Sequence, residues 1–269
     1  LTTFSTVTKM LIFPLMLAVV AWASGGDSSA VSIPKSRIVG GLPANIVDIP
    51  YIVSLVTYGY HSCGGSIINE HTVITAAHCL AFTTPRLLKV HVGAKTRALS
   101  EGQLIGVKAI HSHELWTLET MDYDIGLVRL AKPLTYGATV QPIQLPQQNN
   151  ILLQGSLATV AGWGYLSSNG PGAEELHYAR VPIMNQKTCN RTLKGLVTDR
   201  MICAGYLKGG IDACQMDSGG PLIAQKKLIG IVSWGIGCAL PNKPGVYTRV
   251  SVLMPWLTEL MAREYNESI

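Results

Sequence analysis

Met216-Asp217-Ser218-Gly219-Gly220-Pro221 sets a serine between an acid and a pair of glycines. A serine hydroxyl is a weak nucleophile until a base takes its proton and backbone N–H groups receive the developing oxyanion. Flanking glycines let the backbone crowd a reacting carbonyl. Alone, such a stretch reads as a turn. Two other segments change that reading. Thr75-Ala76-Ala77-His78-Cys79 supplies an imidazole beside a cysteine, and Asp122-Tyr123-Asp124-Ile125-Gly126-Leu127 supplies a carboxylate opening an apolar run. In chain order the base comes first, the orienting acid second and the nucleophile third, one of the few orders in which such a set is built.

Outward from these segments, short β-branched runs alternate with turn residues from Pro50 onward. They are Tyr51–Val56, Ser66–Ile68, Val73–Ala76, Leu87–Val92, Ile105–Ile110, Ala158–Ala161, Leu228–Trp234 and Gly245–Val250. Strands at this spacing with Gly and Pro between them predict an antiparallel sandwich or barrel. Leu253, Trp256, Leu257, Leu260 and Met261 recur at helical spacing, with Pro255 tolerable in a first turn, so a C-terminal helix is expected.

The chain has 269 residues, 48% hydrophobic and 14% charged, a composition that suits a packed core and excludes a disordered chain. Its net charge is +5; residues 1–37 hold Lys9, Lys35, Arg37 and Asp27, leaving 18 basic against 15 acidic residues beyond them. That surplus is too small and scattered to suggest a nucleic-acid partner. Lys9 and the apolar run Met10–Val20 read as a secretory signal, with Ala21-Trp22-Ala23 as the small-x-small cleavage pattern and Met10 a candidate start. The run is shorter than the roughly 20 residues a bilayer span needs. Residues 1–23 are therefore the expected signal peptide and 24–37 an activation peptide, making the product secreted and free of the membrane. Six cysteines in an exported chain imply disulfides, with 15 pairings open on count alone; no C-x-x-C pair suggests zinc.

Together with Ile38-Val39-Gly40-Gly41 and Ser233-Trp234-Gly235, these motifs make the chain resemble the chymotrypsin/trypsin family of serine peptidases over roughly Ile38 to Tyr265. The resemblance implies an all-β domain at 38–269. It has two six-stranded antiparallel β-barrels, about 38–145 and 146–250, and a helix at about 252–265. It implies that Ser218 attacks a carbonyl, that His78 accepts and returns the proton, and that Asp124 fixes the His78 tautomer. His61, His71, His91, His111, His113 and His177 sit beside no such motif, and Asp122 lacks the apolar run that follows Asp124.

The N–H groups of Met216 and Ser218 would form the oxyanion hole. Asp212 would lie at the base of the primary pocket and select Arg or Lys, with Ser233, Gly235 and Gly245 along its walls. Cleavage after Arg37 would free Ile38 to pair with Asp217. The implied disulfides are Cys63–Cys79, Cys189–Cys203 and Cys214–Cys238, each worth about 3 kcal/mol on loop-closure entropy. No cofactor or metal is implied. The expected partners are protein or peptide substrates bearing Arg or Lys and protein protease inhibitors, and the expected working unit is a monomer. Asn190-Arg191-Thr192 and Asn266-Glu267-Ser268 are glycosylation sequons.

Two positions depart from the family pattern. Met216 stands where the family has glycine, which costs about 1–2 kcal/mol if the backbone there needs a positive φ. Gly93–Gln103, which aligns with a calcium loop, holds Lys95 and Arg97 with only Glu101 acidic, too few oxygen ligands for calcium. Met216 also motivates a rival expectation, a homologue that binds a partner without cleaving it.

Overall fold

Runs rich in Val, Ile and Leu pair with their chain neighbours because tight turns return each strand beside the last. The computed structural model describes residues 39–165, 167 and 170–266. The expected signal and activation peptides, Arg37 and Ile38 lie outside the described residues. After a two-residue strand β1 (Leu42–Pro43) come β2 (Ile52–Thr57), β3 (Tyr60–Asn69), β4 (Thr72–Thr75), β5 (Leu88–Val92), β6 (Gln103–Ser112) and β7 (Gly126–Leu130). The last six close into a barrel in the order β2-β3-β4-β7-β6-β5, all antiparallel. Closure leaves no free strand edge. Val53, Leu55, Ile67, Val73, Val90, Val128 and Leu130 fill its interior.

The second half is built from β8 (Leu157–Gly162), β9 (His177–Pro182), β10 (Met201–Ala204), β11 (Pro221–Ala224), β12 (Lys227–Trp234) and β13 (Gly245–Arg249). Its sheet has seven strands, ordered β1-β9-β8-β11-β12-β13-β10. Six of these, β8–β13, make up the expected second antiparallel unit, and the two-residue β1 is added at its edge. β10 meets the β9 end through the Ile183–Ala204 bridge and the bonds from Gly205 N to Pro182 O at 3.0 Å and from Met184 N to Cys203 O at 2.9 Å. Pro221 is the first residue of β11, where its missing N–H is tolerated.

A short helix α1 (Gln186–Thr192), capped by the Asn185 side chain, precedes β10. The C-terminal helix α2 (Met254–Asn266) starts two residues later than expected. Its Leu257 and Leu260 join Ile74, Ile125, Leu127, Leu228 and Ile231 in one apolar cluster that fastens the two halves together. The three disulfides are those implied by the resemblance, Cys63–Cys79, Cys189–Cys203 and Cys214–Cys238. No helix among the described residues is long and apolar enough to cross a membrane.

Candidate active site

His78 sits in a single 3-10 turn, Ala77–Cys79, between β4 and β5, anchored by the Cys63–Cys79 bridge. Asp124 lies two residues before β7 and is buried. Its carboxylate accepts from the His78 N–H at 2.9 Å, from His78 Nδ1 at 2.7 Å and from Ser233 Oγ at 2.6 Å, while Thr248 Oγ1 donates to its backbone carbonyl at 2.6 Å. An ionised carboxylate only accepts, so the His78 proton resides on Nδ1 and Nε2 is left as a base. Ser218 follows on the loop before β11, its carbonyl accepting from Gly64 N at 2.7 Å. A Cβ on Gly219 would overlap Thr75 Oγ1 and approach Cys79 Sγ, so only glycine lets this loop lie against the His78 turn. The Ser218 hydroxyl makes no hydrogen bond among the described residues; such bonds commonly tighten only when substrate binds. Cys63, His78 and Cys79 also cluster their donor atoms within 4.8 Å, but both sulfurs are bridged and offer no thiolate.

Ser218 opens onto a pocket of about 140 Å³ lined by Ser233, Trp234, Gly235 and Gly245, with Asp212 among its walls. Asp212 is 3% exposed. Its Oδ2 accepts from Ala239 N at 3.2 Å, while Oδ1 has no hydrogen-bond partner among the described residues. Burial pushes this carboxyl up to about 7, against the opposing pull of the Ala239 backbone bond. A Cβ on Gly245 would come within 2.7 Å of Asp212 Oδ1, whereas one on Gly235 would meet only Gly237 O, at 3.4 Å. Gly245 thus makes room for the carboxylate and Gly235 keeps the wall open. A buried carboxylate with an unfilled lone pair is suited to a cation that brings its own donors.

The family profile described as Trypsin matches residues 38–257. The chain belongs to the trypsin family. It is 45% identical over 241 residues to a trypsin of Simulium vittatum, covering 86% of this chain and 96% of the relative. It is 42% identical over 229 residues to Trypsin 5G1 of Aedes aegypti, covering 84% and 85%. It is 40% identical over 235 residues to a vitellin-degrading protease of Bombyx mori, covering 87% and 89%. As a trypsin-family member it is a serine endopeptidase.

In this trypsin-family chain Met216 has φ +75°, the left-handed region that a side chain strains to occupy. Its carbonyl is held by His61 Nε2 at 2.9 Å, and His61 Nδ1 is met by Ser54 Oγ at 2.7 Å. The carbonyl can only accept, so Nε2 carries the proton and the Ser54 hydroxyl donates to Nδ1. Burial lowers the His61 pKa to about 4, which keeps the ring in this neutral, bridging form. With the carbonyl turned toward His61, neither the Met216 nor the Ser218 N–H donates to a backbone carbonyl among the described residues.

Asp217 is fully buried and accepts from Gly164 N at 2.8 Å and Cys214 N at 3.0 Å. A Cβ on either Gly162 or Gly164 would overlap its carboxylate. Burial raises this carboxyl to about 7. Asp122, the rival to Asp124, is turned the other way, paired with Arg200 and accepting from Thr198 Oγ1 at 2.9 Å. Ser233, expected only as a pocket wall, also bonds Asp124. His61, Ser54 and Thr248 escaped the sequence reading because each partner lies far off in sequence or carries no motif. In the Gly93–Gln103 loop, Lys95 pairs with Glu175 at 2.9 Å, Arg97 pairs with Glu174, and Glu101 accepts from Thr96 N at 3.1 Å.

Proposed function

We propose that the chain is a secreted, zymogen-derived endopeptidase that cuts peptide bonds after Arg and Lys. The observation that carries this reading is Asp212, a buried carboxylate with an unpartnered oxygen in the wall of the pocket beside Ser218. Ser218 Oγ attacks the scissile carbonyl as His78 Nε2 takes its proton. The N–H groups of Met216 and Ser218 receive the oxyanion, and Asp124 stabilises the imidazolium. His78 then protonates the departing amine, leaving an acyl-enzyme that water, deprotonated by His78, hydrolyses. Residues 1–23 serve export, 24–37 are shed, and 38–269 form the peptidase, with protein inhibitors as natural partners. Digestion of a denatured protein by enzyme cut after Arg37 tests the specificity. Peptides ending almost wholly in Arg or Lys are expected, and a majority ending in Phe, Tyr or Leu would reject it.

The rival reading, a homologue that binds without cleaving, has Met216 as its only support. The His61 bond to the Met216 carbonyl supports the enzyme reading, because it fixes the Met216 backbone at positive φ with its N–H not taken by any backbone carbonyl among the described residues. Met216→Gly is expected to raise kcat on a small arginine amide by no more than about 5–30-fold, the equivalent of 1–2 kcal/mol of relieved strain. A Kunitz-type inhibitor fills both sides of the scissile position and must pass the thioether chain, so its affinity should improve more than kcat does. Benzamidine reaches only the Asp212 pocket and should bind both variants alike. Inhibition constants for the two ligands on both variants check this. An equal change for both would show that Met216 does not obstruct the leaving-group side.

A further inference from the structure

On the second half of the molecule, separate from the Ser218 pocket, a cavity of about 260 Å³ opens beside α1. Ile183, Ile202 and Ile229, all buried, line it together with Arg249. Arg249 Nε donates to Met201 O at 3.2 Å and its Nη2 to Gln186 Oε1 at 2.6 Å. Gln186 cannot turn away, because its own Nε2 donates to Thr198 O at 2.9 Å and to Met201 O at 3.1 Å. The guanidinium is thus fixed by neutral acceptors alone, with three of its five N–H groups unassigned to any hydrogen bond among the described residues. No acidic side chain lines the cavity; Asp199, the charge felt by Arg249, is exposed. Burial lowers the Arg249 pKa from its ordinary value, the sign of a cation short of compensation.

We propose that this cavity is a second ligand site, taking a small carboxylate that carries an apolar body. The carboxylate meets the Arg249 fork, whose planar geometry suits bidentate pairing. The apolar body packs on the three buried isoleucines, and Ile151 stands exposed at the rim. Asn150 and Asn185, also lining the cavity, add amide groups able to bond the carboxylate but no competing negative charge.

Calorimetric titration of the whole chain with benzoate, and with benzamide as its neutral isostere, tests the site. Benzoate should bind at least about tenfold more tightly than benzamide, the equivalent of one charge-assisted hydrogen bond. Arg249→Gln should abolish that preference. Because Arg249 also ties Met201 to Gln186, a second variant leaves that network intact. Ile151→Glu adds a carboxylate at an exposed rim position and should weaken benzoate by roughly threefold or more while sparing benzamide. Benzamide binding as tightly as benzoate, or benzoate binding unchanged in both variants, would overturn the proposal.

Discussion

Replacing Asp212 by serine is expected to lower kcat/KM on arginyl substrates by on the order of 10²–10⁴-fold, the equivalent of about 3–5 kcal/mol for breaking a buried charge pair. Activity on phenylalanyl or leucyl substrates should change far less. The reason lies in the pocket, where one Asp212 oxygen has no partner among the described residues and Gly235 leaves the wall open. The same carboxyl carries a pH signature. Burial raises it to about 7 in the empty pocket, so its ionised form is disfavoured there. A bound cation favours the ionised form. Benzamidine affinity should therefore be greatest above pH 7 and fall by about tenfold per unit as pH drops below it. Equal losses on basic and aromatic substrates in the serine variant would mean that Asp212 only supports the fold.

An uncleavable Arg37→Gln chain is expected to be at least about 10²-fold less active than one cut after Arg37, again from a buried pair left incomplete. Asp217 is enclosed by Gly162 and Gly164, held by two N–H groups, and raised to about 7 by burial. Such a carboxylate suits a cation, and in the proposed activation the ammonium that cleavage would create on Ile38 would supply one. The chain just beyond Ile38 supports this, since Val39 O accepts from Asp212 N at 3.1 Å and Gly40 lies against Gly210. An α-amine has an ordinary pKa of about 7.7–8.0, and the proposed pairing would raise it in the folded enzyme. The stabilisation is therefore fully present below about pH 8 and is lost as pH rises through the raised value. Activity of the cleaved enzyme should fall at alkaline pH. Its pH–activity profile, and the activity of the uncleavable chain beside it, check this. An uncleaved chain as active as the cleaved one would refute the mechanism.

Much of the fold was legible because β-branched runs mark their own strands, as at Val73–Ala76 and Leu228–Trp234. Other strands were hidden. β9, His177–Pro182, interleaves His, Tyr and Arg among its buried residues and is stabilised by having β1 and β8 on either side. β11 is four residues long and follows directly on the Ser218 loop. α1 has no apolar stripe and relies on the Asn185 cap and the Cys189–Cys203 bridge. At the candidate site, His78, Asp124, Ser218 and Asp212 could be proposed from sequence because each lies in a short local motif, and the structure sets His78 against Asp124 and lines one pocket with Ser218 and Asp212. His61 was not, because its partner is the Met216 carbonyl, 155 residues away, and a backbone carbonyl leaves no mark in sequence. The pairing of Asp122 with Arg200, 78 residues apart, was equally hidden, and it is what separates the two neighbouring acids.

Active-site titration with a chromogenic arginine ester, run on the chain before and after cleavage at Arg37, bears most directly on the proposed enzyme. After cleavage, a burst of released alcohol matching the protein concentration, followed by slower turnover, is the expected result, since Ser218 would be acylated once per molecule before water regenerates it. The burst should vanish in Ser218→Ala. No burst from correctly cleaved protein, or an undiminished burst in the alanine variant, would contradict a Ser218 nucleophile acting through an acyl-enzyme.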